Sequence, residues 1–295
     1  MKILLTGKNG QLGFELQRAM APIGQLVALD HGSCNLADPD SIRNAIREYR
    51  PNVIINAGAY TAVDKAETDS QMAFAVNGEA LGIIGEEAAA ISAWVMHYST
   101  DYVFDGMQDG WYVENDGPRP RSVYGSSKLA GEQALQHSGA KHIILRTSWV
   151  FGAHGNNFAK TMLRLAAERD ELRVVNDQFG APTSAALIAD VSAHLVRQAS
   201  LQGMSDFPFG LYHLAAAGAT NWHEYASFVI HEATLVGRKL RTTTDRITPV
   251  AASEYQTAAV RPLNSRLDTS KLRATFDLVM PTWQEGVRHM LQQLS

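Results

Sequence analysis

A tyrosine and a lysine four residues apart, Tyr124 and Lys128 in the stretch Tyr124-Gly125-Ser126-Ser127-Lys128, are the residues in this chain best suited to chemistry on a carbonyl. On a helix, positions i and i+4 share one face, so a phenol and an ammonium can point into one pocket. A free tyrosine ionises near pH 10, and a nearby cation favours the ionised form. The same pair on an ordinary surface helix does nothing, so its meaning depends on what else the chain brings to that face. Ser99-Thr100-Asp101 follows an apolar run, Trp94 to Tyr98, and places Thr100 and Asp101 at a strand's carboxyl end, where parallel α/β sheets carry their ligands. A Ser-Thr-Asp run is equally a helix cap or turn.

The elements needed to hold such a pair are legible from the first residue. Lys2 to Leu5 reads as a strand, Thr6-Gly7-Lys8-Asn9-Gly10-Gln11-Leu12-Gly13 as a glycine turn, and Leu12, Leu16 and Met20 mark one helical stripe. Gly7, Gly10 and Gly13 let backbone approach a pyrophosphate, which the helix N-terminus stabilises; Asn9, Gln11 and Leu12 belong to that turn. A second run, Gln25 to Leu29, ends in Asp30, about twenty residues after the glycines, where an acid receives a ribose 2′-hydroxyl. Asp30 leans towards NADH, with Lys8 or His31 available to offset it for NADPH. A third segment ends Cys34-Asn35-Leu36, where Asn35 meets an adenine edge or simply forms a turn.

Val53 to Asn56 is a buried strand, followed by the small residues of Ala57-Gly58-Ala59-Tyr60-Thr61, against which a cofactor can lie. A helix from Ala73 to Leu81, an alanine-rich segment from Gly85 to Ala93, a polar loop from Met107 to Arg121 long enough to cover a site, and a helix from Ser126 to Gln136 come next. His142 to Thr147 then counts as the sixth buried strand. Trp149, just past it, stacks on a sugar or base or packs in the core. Alternation of strand and helix predicts an α/β fold with a Rossmann-like, doubly wound parallel sheet. The expected division is 1–150 for the dinucleotide-binding domain, joined by 172–198, with 151–171 and 199–295 forming mainly a smaller C-terminal lobe that binds substrate.

The chain has 295 residues, a net charge of −4 and one cysteine, Cys34. Such a charge offers no general attraction to nucleic acid or to a membrane surface. A lone cysteine excludes an intrachain disulfide and fits a reducing cytoplasm. No apolar run approaches a membrane span, and the ten histidines show no metal-ligand spacing.

Together, Thr6-Gly7-x-x-Gly10-x-x-Gly13, Thr100 and Tyr124-x-x-x-Lys128 resemble the extended short-chain dehydrogenase/reductases over nearly the full chain. Within that family Thr61 to Glu67, Ser99 to Gly106, Asp177-Gln178-x-Gly180-x-Pro182-Thr183 and Arg261-Pro262-x-Asn264-Ser265-x-Leu267 resemble the nucleotide-sugar reductases of rhamnose synthesis. The resemblance implies that Tyr124 is the acid-base, that Lys128 lowers its pKa and holds the nicotinamide ribose, and that Thr100 orients the carbonyl. It implies substrate contacts from Thr100, Asp101 and Trp149, and from Arg261 either a fork on the diphosphate or a tie between lobes. The implied reaction is reduction, by NADH or NADPH, of the C4 ketone of dTDP-4-dehydro-6-deoxy-L-mannose, a dTDP-sugar. Tyr102 stands where dehydratases of the group carry a glutamate, which argues against water elimination. Another nucleotide-sugar reductase or epimerase, or a non-catalytic dinucleotide-binding subunit, are the alternatives. The resemblance also implies, for some members, a dimer bridged by Mg2+; Glu15 and Glu285 remain as ligands, but Ala186 stands where a glutamate is often found, so no metal is expected, and the protein is expected to be a monomer or homodimer.

Overall fold

The computed structural model describes residues 1–294. Five strands of its main sheet, β1 (Lys2–Thr6), β2 (Gln25–Leu29), β3 (Val53–Asn56), β4 (Trp94–Thr100) and β5 (His142–Thr147), pair in parallel in the order β5-β4-β3-β1-β2. A sixth, Gly210–His213, adds to the β5 edge. Strand alternation sends Ile3 and Leu5 to one face and Leu4 to the other. The first face packs on α1 (Gln11–Met20) and the helix Ala185–Gln202 through Leu16, Met20, Ile188 and Leu195. The second packs on α2 (Pro39–Tyr49) and the helices that follow β3 through Ile42, Leu81, Ile84 and Leu135. Both faces are therefore covered, as an all-parallel sheet requires.

After β3 come α3 (Val63–Ala66) and α4 (Ser70–Phe74), a π-helical stretch Ala75–Glu79 and α5 (Ala80–Ala90). The last three run on without a break, where the sequence predicts two separate segments. Tyr124 and Lys128 lie on α6 (Val123–His137), whose N-cap Ser122 accepts from Gly125 N at 3.1 Å. Gly125 is required by contact: a Cβ there would sit 2.2 Å from Tyr102 O, so only glycine lets α6 lie against the turn that follows β4.

Two expectations change. Cys34–Leu36 joins no ladder; it is a turn held by Cys34 N donating to Asp30 O, and the sixth strand is Gly210–His213. Leu172–Val175 pairs with Ile247–Val250 away from the main sheet, while the helix Ala185–Gln202 packs on that sheet. Finally, the loop 107–121 does not line the cleft: Tyr112 is buried and exchanges backbone bonds with Arg266 and Asp268, while Asn264 Nδ2 donates to the carbonyls of Gln108 and Gly110. Among the described residues no helix is long and apolar enough to cross a membrane.

Candidate active site

A cleft of about 890 Å³ opens along the carboxyl ends of the main strands. At one end stands the glycine turn. Gly7 has φ 75°, and a Cβ on it would meet Gly58 N at 2.5 Å, so two backbones touch where the first crossover begins. Helix α1 starts at Gly10 with no side-chain cap, leaving its first amides to a ligand; Gly10, Gln11 and Leu12 line the cleft. Gly13 does not. Its Cα lies against Gly7, and a Cβ would come 2.0 Å from Gly7 O, so this glycine serves helix packing rather than ligand contact.

Gly7, Asn9, Gly10, Gln11, Leu12, Asp30, Asn35, Leu36, Ala59 and Thr61, all expected at the cofactor, line the cleft. Tyr60 does not: its backbone N–H and C=O are held by Asn77 at 2.8 and 3.1 Å, and its hydroxyl donates to Asp69. The Asn77 amide also donates to Ser127 Oγ at 3.0 Å, so one side chain in the π-helical stretch ties the loop after β3 to α6. π turns of this kind recur at functional sites.

Asp30 is neutralised. Lys8 Nζ lies 3.0 Å from Oδ2, while Ser33 N and Oγ donate to Oδ1 at 3.0 and 2.9 Å; the Lys8 bond first and then Ser33 hold the carboxyl down at about 2. The acid therefore carries its own counter-charge.

At the centre, Tyr124, Lys128, Thr100 and Asp101 all line the cleft. Lys128 is 2% exposed; Nζ donates to Tyr98 O at 2.6 Å and meets His97 Nε2 at 3.1 Å. Burial lowers its pKa to about 8, with Glu132 opposing. The phenol behaves opposite to the sequence expectation: burial first, then the Asp101 charge, push Tyr124 above its ordinary value, and the Thr100 hydroxyl works the other way. Tyr124 is thus a protonated donor at neutral pH. Thr100 Oγ1 donates to Asp101 Oδ1 at 3.1 Å and accepts from Tyr102 N at 3.2 Å. Burial raises Asp101 to about 6, with the Ser265 and Thr100 hydroxyls opposing, and no donor of the chain lies within hydrogen-bond distance of its Oδ2. Ser99 Oγ and Thr147 Oγ1, also at the cleft, are buried and unpartnered too. Buried polar atoms left open in a cleft are what a bound nicotinamide and sugar would satisfy, so the site fits NAD(P)H.

The other end is built of side chains from distant segments. Trp149 sits at φ 49°, an uncommon backbone for a bulky residue, and stacks on Trp222 with ring centroids 3.6 Å apart. Trp222 Nε1 donates to Gln178 at 3.1 Å, and a Cβ on Gly180 would strike the Trp149 indole at 2.6 Å. Gln178 and Gly180 of the Asp177–Thr183 motif therefore place the two indoles. Arg261 Nη2 pairs with Asp64 at 2.7 Å and Nη1 donates to Tyr102 OH at 3.2 Å, so the fork that faces the cleft also ties the segment Thr61–Glu67 to the C-terminal third. The Tyr102 ring stands edge-on to Tyr124, centroids 5.4 Å apart.

Trp222, Asn77, His97, Ser99 and Thr147 are not among the residues the sequence nominates. Only Ser99 carried a signal, through its place beside Thr100. The carboxylates considered for Mg2+ do not fit a metal within this chain: Glu15 accepts from Arg18 at 3.3 Å, Glu285 caps its own helix through Thr282, and no group of three metal-ligating side chains occurs among the described residues.

The family model described as the RmlD substrate binding domain matches residues 1–295. The dTDP-4-dehydrorhamnose reductase of Shigella flexneri is 50% identical over 298 residues, covering 100% of this chain and 98% of its own. That of Burkholderia thailandensis is 43% identical, covering 97% of each. Among solved structures, dTDP-4-dehydrorhamnose reductase from Bacillus anthracis in complex with NADP superposes with a TM-score of 0.90 at 33% identity, covering 99% of both chains.

Proposed function

This chain belongs to the RmlD substrate binding domain family, and from that premise we propose that it is an NAD(P)H-dependent oxidoreductase that reduces the C4 ketone of dTDP-4-dehydro-β-L-rhamnose to give dTDP-L-rhamnose. The observation that carries the reading is convergence: Tyr124, Thr100 and Lys128, from two elements, line the same cleft as the glycine turn. When bound, reduced nicotinamide supplies the hydride that C4 receives. Tyr124, kept protonated by burial, gives its proton to the oxygen as charge develops there. Thr100 steadies that oxygen, a hydrogen bond that strengthens with the charge. Lys128 holds the ribose and its charge offsets that left on the phenolate. Trp149 and Trp222 bound the sugar, Asp101 receives a sugar hydroxyl at its open Oδ2, and Arg261 spends its remaining N–H donors on the diphosphate.

Lys8 beside Asp30 supports use of NADPH as well as NADH. The buried thiol of Cys34 suits a reducing compartment, and the cytoplasm is where we place the reaction. The test is purified protein with dTDP-4-dehydro-β-L-rhamnose and each reduced cofactor, following loss of nicotinamide absorbance and identifying the product. Consumption with this sugar above other 4-keto sugar nucleotides supports the reading; no consumption with either cofactor overturns it.

A further inference from the structure

A row of buried polar side chains crosses the sheet beneath the cleft and ends on Lys128. Thr6, Asn56 and His97 are register partners on β1, β3 and β4. Thr6 Oγ1 donates to Asn56 Oδ1 at 2.5 Å, Asn56 Nδ2 meets His97 Nδ1 at 3.1 Å, and His97 Nε2 meets Lys128 Nζ at 3.1 Å. His97, 1% exposed, is held neutral by burial and by the lysine charge.

A neutral imidazole has one donor and one acceptor, an ammonium has donors only, and an amide can present either end. Two arrangements of the row pair both imidazole nitrogens. With Lys128 charged, His97 Nε2 must accept, so Nδ1 carries the proton and Asn56 must turn its oxygen to it. With Lys128 neutral, Nε2–H donates to the amine, Nδ1 accepts and Asn56 presents its nitrogen, 3.1 Å away. We infer that His97 is a positioning residue that matches its tautomer to the charge on Lys128, letting the lysine lose or regain a proton without stranding a buried polar atom.

The other groups facing Lys128 do not offer this. On α6, Glu132 is consumed by Arg146 of β5 at 2.9 and 2.6 Å, and Tyr124 is a turn away; from β4, the Tyr98 carbonyl accepts only. Asn77, from the π-helical stretch, reaches Ser127 instead. The inference rests on the proposed role of Lys128 for its catalytic meaning, while the tautomer itself can be read without turnover.

The experiment is a pH titration, from 6 to 10, of enzyme labelled with ¹⁵N in its histidines, with His97→Gln identifying the His97 signals. The expected result is a ring that stays neutral and passes from Nδ1–H to Nε2–H with a midpoint that disappears in Lys128→Met. In kinetics, the alkaline limb of kcat should move at least one pH unit towards acid in His97→Leu, which strands the ammonium, and stay close to wild type in His97→Gln, which keeps an acceptor. One tautomer throughout, or a midpoint that survives Lys128→Met, overturns the inference. Should His97→Leu not fold, the wild-type and Lys128→Met titrations decide. Absence of turnover on the dTDP sugar would sink the proposed reaction and leave the tautomer result standing.

Discussion

The two ends of the cleft are made differently. The end proposed for the cofactor is mostly backbone and small residues from the first 61 positions: a glycine turn, the start of α1 and the loop after β3. The sugar end is mostly large side chains from segments up to 197 residues apart in the chain, each already engaged with another part of the protein, Arg261 with Asp64, Trp222 with Gln178. Backbone sites are set by topology and tolerate change in neighbouring side chains. Side-chain sites depend on their supports, so at the sugar end a substitution one contact away from the ligand should register, and at the cofactor end it should do so only where it removes a charge.

The largest expected effect tests the junction between the two. Tyr124→Phe should lower turnover by about 10²–10⁴-fold with cofactor affinity and melting temperature near wild type; turnover within a few-fold of wild type would remove the phenol from the chemistry. Next is a charge. Asp101 has a folded pKa raised to about 6, so ionising it costs the fold, and stability is lost as pH rises through that value. Asp101→Asn should therefore be more stable than wild type at pH 8 by about 3 kcal/mol and equal to it at pH 3, read by thermal melts at both. At the cofactor end Lys8→Ala should weaken NADPH roughly tenfold relative to NADH, the size of one charge-assisted bond, with the sugar KM unchanged. At the sugar end Trp222→Ala should raise the sugar KM about fivefold through loss of its stack with Trp149, leaving both cofactors alone. The smallest is Asp64→Ala: a partly exposed ion pair of this kind is worth about 0.5 kcal/mol, so the sugar KM should change about twofold, and less at high salt. If Trp222→Ala and Asp64→Ala moved cofactor affinity instead, the contrast between the two ends would be wrong.

The same contrast explains what the sequence discloses. The glycine turn, Asp30 and the Tyr124–Lys128 pair are local, with spacing fixed by a turn or by 3.6 residues per helical turn, so they read directly. The parallel strands β1 to β5 are also legible, because each is a short run rich in apolar residues. What does not read is whatever depends on a distant partner. Gly13 looks like part of the ligand turn until the closeness of Gly7 O shows it is packing. Gly210–His213 and Leu172–Val175 are equally strand-like, and only tertiary pairing sends one to the main sheet and the other to Ile247–Val250. His97 is one polar residue in an apolar run, and Trp222 an ordinary helix start; neither has a local signal. The direction of the Tyr124 shift was missed for a related reason: charge proximity is suggested by spacing, but burial, which dominates here, is not.

The π-helical stretch at Ala75–Glu79 makes the molecule intolerant of length change at one place where it tolerates substitution. Such a winding arises where a helix holds one residue more than α geometry needs. Removing any single residue from it would let the segment relax to α and turn Asn77 by about 100° about the axis, tearing it from the Tyr60 backbone and from Ser127 at once, whereas Val76→Ala would leave both attachments in place. A library of one-residue deletions scanned across 70–90 should therefore show its sharpest loss of nucleotide retention at this wide turn, set apart from the milder losses on either side.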